Sequence, residues 1–151
     1  MSIPELTSRR QRWMAILARA ERPAIEARLA ALDPLPDHRR LRGPETGLVM
    51  VQGRAGGSGA PFNLGEMTVT RCTVHNAQGL VGHAYIAGRD PRKAELAAAL
   101  DAALQDPEQG PALEQAVILP LAGALASAEA DIRARAEATR VDFFTLATMR
   151  S

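Results

Sequence analysis

Glycine placement is the feature that most constrains this chain. Ten of its 12 glycines fall between Gly43 and Gly88, whereas the segments on either side are rich in Ala, Leu, Arg and Glu, residues that favour helix. A glycine-rich block is a poor helix, because glycine loses more backbone freedom than any other residue when it is fixed. The chain therefore reads as helix, then sheet, then helix. Charge divides in the same way: residues 1–44 carry nine basic and five acidic groups, 45–90 three of each, and 91–151 six basic and nine acidic. The net charge of +1 at pH 7 gives no global basic footprint for nucleic acid.

In the first block, Trp13, Ile16, Leu17 and Ala20 recur at helical spacing, with Arg9, Arg10, Arg12 and Arg19 on or beside the opposite face. A second helix is predicted from Pro23 through Ile25 and Leu29 to Leu32, because proline suits a first helical turn. Asp33-Pro34-Leu35-Pro36 stops it. In the middle block, Glu45 to Arg54 contains the apolar run Leu48-Val-Met-Val51, and Glu66 to Asn76 is rich in Thr and Val; both suit strands. A third strand, Leu80 to Ala87, follows the turn Asn76-Ala-Gln-Gly79. If residues 76 and 79 face each other, Cys72 lies opposite His83 and Arg71 opposite Ala84.

Asp90 and Pro91 are placed as N-cap and first residue of a helix running to Leu104. Asp106-Pro107 ends it, and Gly110-Pro111 and Pro120 break up the next stretch. A longer helix is predicted from about Leu121 to Thr139, with Leu125 and Ile132 inward and Glu129, Arg133 and Glu137 outward. The expectation is one α+β domain over 1–151, a central antiparallel β-sheet flanked by N-terminal and C-terminal helices.

No apolar run approaches the roughly 18 to 20 residues needed to span a bilayer, and the N-terminus lacks the apolar core of a secretory signal. The single Cys72 cannot form an intramolecular disulfide. These features point to a cytoplasmic protein with neither membrane nor nucleic-acid partner.

The segment from Gly53 to Gly65 carries the most conspicuous candidate chemistry. Backbone N–H groups of Gly56-Gly57-Ser58-Gly59 can form an anion nest, and Arg54 adds a forked donor for phosphate or phosphonate oxygens. The segment lacks Gly-Lys-Ser/Thr and leads into a strand, so it is neither a Walker loop nor a dinucleotide fingerprint; the alternative is a plain connection between strands. Arg71 and Arg89 join Arg54 as possible clamps on an anion or on a partner's carboxylates, against the reading that each is simply solvated or locally paired. His38, His75, His83 and Cys72 do not supply the three or four ligands of a metal site, and none is expected. Gly57-Ser58-Gly59 is not a nucleophile elbow. Phe143, Phe144, Leu146 and Met149 form an apolar cluster, in a chain with 3% aromatics, that belongs to an interface or to the chain's own core.

Several segments in order resemble one family, the G subunit (PhnG family) of the bacterial carbon–phosphorus lyase core complex. They are Arg10-Gln-Arg-Trp-Met14, Glu45-Thr-Gly-Leu-Val49, Arg54-Ala-Gly-Gly-Ser-Gly59 with Phe62 and Gly65, Thr70-Arg71, Gly88-Arg-Asp90 and Arg140-Val-Asp-Phe-Phe-Thr145. The resemblance implies a subunit that assembles with H, I and J subunits, most intimately with I, and is joined by an ATP-binding-cassette-like L protein. The complex attaches a phosphonate to C1′ of the ribose of ATP and releases adenine; with methylphosphonate the product is ribose 1-methylphosphonate 5-triphosphate. ATP and phosphonate are then substrates of the complex, and no cofactor is expected on this chain alone. The resemblance assigns no catalytic residue and no role to Cys72, His75 or His83. A stand-alone anion- or nucleotide-binding module built on the glycine-rich loop is the alternative.

Overall fold

The expected amphipathic segment becomes helix α1 (Ile3–Arg19), which buries Trp13 and Leu17 on one face. Residues 3–141 are described by this computed structural model. Pro23 sits in the first turn of α2 (Arg22–Leu29), whose one fully buried residue is Ile25. The middle block forms a three-stranded antiparallel sheet of β1 (His38–Arg54), β2 (Pro61–Asn76) and β3 (Val81–Ala87), ordered β1-β2-β3. Helix α3 (Pro91–Leu104) follows, then α4 (Gly110–Leu113), a π-helical turn (Glu114–Ile118) and α5 (Leu119–Ala138). The α+β architecture expected from the glycine distribution is the one observed.

Helix α3 packs on β2 and β3 through an alanine-lined surface: Ala94, Ala97, Ala98, Ala102 and Ala103 are buried against a sheet face made of Thr70, Cys72, Val74, Ala84 and Ile86. Methyl-sized side chains let helix and sheet backbones approach closely. At Gly82 the approach is complete, since a Cβ there would lie 1.9 Å from the Ala98 carbonyl oxygen. Trp13, Leu17 and Ile25 complete the core from the N-terminal side, and Leu113, Val117, Ile118 and Leu121 from the C-terminal side. Each fully buried aliphatic side chain of this kind contributes about 1.5–3 kcal/mol relative to exposure.

Asp90 caps α3 as expected, its Oδ1 accepting from the Lys93 backbone N–H at 2.9 Å. The β2–β3 register differs by one residue from the expected one. Cys72 pairs with Ala84, Arg71 with Tyr85 and Thr73 with His83. Asn76 faces Leu80: its backbone N–H donates to the Leu80 carbonyl, its side-chain oxygen accepts from the Leu80 and Gln78 N–H groups, and its carbonyl accepts from the Gly79 N–H within the turn. The loop is thus three residues long, with Gly79 at φ +83, the geometry such loops favour.

Three further expectations are corrected. Strands β1 and β2 begin earlier than Glu45 and Glu66, because each continues along its partner beyond the Val- and Thr-rich stretch. Pro111 and Pro120 do not break the C-terminal segment, which is helical throughout Gly110–Ala138. Both prolines sit at the start of helical pieces, and the Leu119 N–H bonds back five residues to Glu114, so the widened turn absorbs the local mismatch. That stretch is long and apolar enough, by length and composition, to cross a membrane, although Leu113, Val117, Ile118 and Leu121 of it lie in the core. Finally, Ile132 points outward and is 67% exposed. Helix α5 has run past the core by then, and residues 126–141 are exposed on every side.

Candidate functional site

Pairing between β2 and β3 ends where the Gly88 N–H reaches the Thr68 carbonyl. Beyond that point β1 and β2 continue, alone among the described residues, as a two-stranded ribbon from Leu48–Thr68 to Arg54–Pro61, with Ala55–Gly57 turning its tip. Strand alternation puts Leu48 and Met50 on one face of the ribbon, and Val49, Val51 and Met67 on the other. Phe62 lies across Gly53 on that second face, with Leu64 beside it. Leu48, Met50, Phe62, Leu64 and Met67 are all exposed, Leu64 at 67%. Leaving each such side chain in water forgoes about 1.5–3 kcal/mol. Between Gly47 and Thr68 the only charged residues are Arg54 and Glu66.

The glycine tip belongs to this ribbon. Gly56 and Gly57 have φ of +59 and +80, Ser58 is exposed and Gly59 half-buried. The Arg54 guanidinium folds back onto the tip, Nη1 donating to the Gly59 carbonyl at 3.1 Å. That contact orders the loop and leaves the remaining Arg54 donors facing solvent.

Arg71 is elsewhere. It stands ten residues along β2 from Pro61, the partner of Arg54, a separation of roughly 30 Å at strand rise. On the sheet face opposite the helices, Arg71 Nε and Arg42 Nε both donate to Glu45 Oε1 at 2.6 Å. These two guanidinium groups, Arg42 first, hold the Glu45 carboxyl below the usual carboxylate range. Tyr85 is the cross-strand neighbour of Arg71, and Thr73 meets His83 Nδ1 at 3.2 Å. Arg89 is exposed, just past the Gly88–Thr68 bond, and makes no ion pair among the described residues. The structure therefore places Arg71 within the three-stranded part of the sheet, Arg89 just past the end of β3, and Arg54 with Gly56, Gly57, Ser58 and Gly59 at the far tip of the ribbon. The three arginines do not converge on one ligand within a single chain.

A concavity of about 330 Å³ between the Leu32–Pro36 connection and Glu108–Leu113 has none of these residues in its walls. Among the described residues, no group of three or more His, Cys, Asp or Glu gathers as metal ligands. Phe143, Phe144, Leu146 and Met149 lie outside the described residues.

Sequence reasoning missed two features. The first is the bare ribbon, whose signal was Leu48-Val-Met-Val51: with no alternation, both faces of a strand are apolar. The second is Asp101, 0% exposed in the alanine run of α3, where a lone acid among apolar residues was the signal. Its carboxylate accepts from Arg10 Nη2 (2.6 Å) and Nε (3.2 Å), from Trp13 Nε1 (2.8 Å) and from the His83 backbone N–H (2.8 Å). Arg10 thus turns inward, away from the solvent face expected for it.

Comparison with known proteins gives a consistent picture. The family model described as "Phosphonate metabolism protein PhnG" matches residues 8–149. The chain is 44% identical over 142 residues, 92% of its own length and 88% of the relative's, to a protein of Rhizobium meliloti (strain 1021) named alpha-D-ribose 1-methylphosphonate 5-triphosphate synthase subunit PhnG.

Proposed function

The chain belongs to the PhnG family, and on that premise we propose that it is the G subunit of a multi-subunit ribose 1-methylphosphonate 5-triphosphate synthase. The reaction replaces the C1′–N bond of ATP with a C1′–O bond to a phosphonate oxygen and releases adenine. Its needs are electrostatic: an oxocarbenium-like C1′, a triphosphate and a phosphonate anion must be stabilised together. The observation that carries the subunit reading is the β1–β2 ribbon, which presents apolar side chains on both faces and, among the described residues, has no further strand beside it.

In this reading the chain completes the complex, with H, I and J subunits as partners and an ATP-binding-cassette-like L protein joining for the reaction in the cytoplasm. ATP and phosphonate are substrates of the whole. Arg54 with Gly56, Gly57, Ser58 and Gly59 acts at one locus and Arg71 with Arg89 at another, because the strand separation denies them a common ligand. Each locus either borders the shared active site or pins a partner through its carboxylates.

The test is co-expression of the tagged chain with its neighbouring genes, followed by pull-down, light-scattering mass and an assay of adenine release from ATP and methylphosphonate with the L protein added. A stoichiometric, active complex is expected. Arg54→Ala and Arg71→Ala should weaken assembly or turnover; if both leave both unchanged, the two loci have no role. A monomer that binds nucleotide by itself would replace the subunit reading with the stand-alone anion module.

A further inference from the structure

We infer that the β1–β2 ribbon is clasped on both faces by an apolar cleft of a different polypeptide, rather than stacked on one side against a flat surface or a second copy. The inference deepens the subunit reading above and rests on it. Its starting point is the distribution of exposed apolar side chains. Leu48 and Met50 occupy one face of the ribbon, and Phe62, Leu64 and Met67 the other. A flat partner surface covers one of these faces and leaves the second in water. Two copies stacked ribbon to ribbon have the same defect, since each still carries a bare outer face.

The area of the chain agrees. It exposes 10459 Å², whereas a compact monomer of 16.1 kDa exposes about 7,400 Å². Setting aside about 2,000 Å², the surface of the twelve residues outside the described range when fully extended, leaves an excess of about 1,000 Å². A standard protein interface takes about 800 Å² from each partner. The chain therefore carries at least one interface's worth of surplus surface, divided between the exposed end of α5 and the ribbon, and among the described residues the ribbon is its largest concentration of exposed Leu, Met and Phe.

Chemistry identifies the occupant. Arg54 at the tip and Glu66, the cross-strand partner of Met50, are the ribbon's only charges, so its complement is a largely apolar wall with a donor for Glu66, and a partner rich in Asp, Glu, Lys or Arg beyond that would bury unpaired charge against it. The cross-strand pairs on the second face alternate a glycine with a larger apolar residue: Val51 with Gly65, and Gly53 with Phe62. A Cβ at Gly65 would meet nothing within 4 Å. Gly65 thus leaves a notch beside Val51, which suits an interdigitating aliphatic or aromatic group, whereas Phe62 and Leu64 fill the space at Gly53. Each wall of the cleft stands about 10 Å from the ribbon, the spacing of packed sheet layers. An acyl-chain environment is the competing source of apolar cover, but the ribbon lacks the cluster of Lys and Arg that draws a hairpin to an anionic membrane surface.

Two variants separate the faces: Leu48→Ser with Met50→Ser, and Phe62→Ser with Leu64→Ser. All four side chains lie outside the buried core, so each variant should keep the circular dichroism and melting profile of the wild type. Each is co-expressed with the remaining subunits of the synthase and recovered by pull-down, with backbone hydrogen exchange read across residues 47–68 in the wild-type complex. Both variants should lower recovery of the complex at least tenfold, and exchange in 47–68 should slow by a similar factor on assembly. Loss from one variant only, or from neither, while wild type assembles would overturn the clasp and leave the subunit reading standing. Failure of wild type to recover any partner would remove the subunit reading and this inference together. Flotation of the isolated wild type with phosphatidylcholine–phosphatidylglycerol vesicles, abolished by either variant, would assign the ribbon to a membrane and also overturn the clasp.

Discussion

The Arg10 guanidinium forks onto the Asp101 carboxylate, tying the middle of α1 to the last turn of α3 beside the start of β3. Asp101 is fully buried, and Arg10 Nη2 also reaches the Val81 carbonyl at 3.4 Å. Every oxygen of the acid is used, because Trp13 and the His83 backbone supply the remaining donors. A carboxylate held this way is inexpensive to keep and costly to remove, since its partners stay behind without an acceptor.

Asp101→Ala should therefore lower the unfolding free energy by about 3–5 kcal/mol, the range for breaking a buried pair from one side. Urea unfolding followed by Trp13 fluorescence measures it directly. The Arg10→Ala, Asp101→Ala double variant should cost less than the sum of the two singles. Strict additivity would mean that the pair does not interact.

Gly82→Ala tests the closeness of helix and strand. The new methyl would fall 1.9 Å from the Ala98 carbonyl and 2.6 Å from the Ala102 nitrogen, both backbone atoms. Neither can rotate aside, so α3 must lift from the sheet and the loss should exceed the 1–3 kcal/mol usual for overpacking. A melting temperature within a degree or two of wild type would contradict the packing described.

The cap of α3 gives a pH dependence with a defined sign. The Lys93 backbone N–H, and then Arg22, hold the folded Asp90 carboxyl below its ordinary value. A depressed folded value means that the cap's stabilisation is present above the unfolded value of about 3.9, and is lost as pH falls through the lower folded one. Wild type should exceed Asp90→Ala in stability by about 1 kcal/mol near neutral pH. That difference should close toward zero in strong acid, and a gap that widened there would reverse the assignment.

Burial against α3 pushes the Cys72 thiol up from its ordinary value. In the native protein at neutral pH, Cys72 should resist a thiol-directed reagent that labels the denatured chain in full. Rapid native labelling would place the β2–α3 packing in doubt.

The sequence was most legible where one residue type decides the outcome. Asp90 and Pro91 located α3, Trp13 and Leu17 located the buried face of α1, and the glycine distribution located the sheet. The hairpin register was not legible, because Asn76 has both a backbone and a side chain able to close the turn and only the fold shows that Leu80 is its partner. Ile132 was assigned inward because periodicity describes a helix and not how far the core extends along it. For the candidate site, residue types pointed to Arg54, the glycine tip, Arg71 and Arg89, but sequence alone gives no distance between them. The roughly 30 Å between Arg54 and Arg71 follows from the length of an unbroken β2.

One side of the sheet is shut. The Val81 carbonyl and His83 N–H point away from β2, where an added strand would bond, and Gln105, Arg10 and Asp101 already occupy them. A free edge invites any extended chain that passes, and here side chains fill the vacancies along the first half of β3. The 17-residue outer edge of β1 has no comparable filling from His38 to Arg54 among the described residues. The sheet consequently has one edge open to lengthening by another polypeptide and one blocked along its first half, a polarity set by Asp101, Gln105 and Arg10 from the helices behind it.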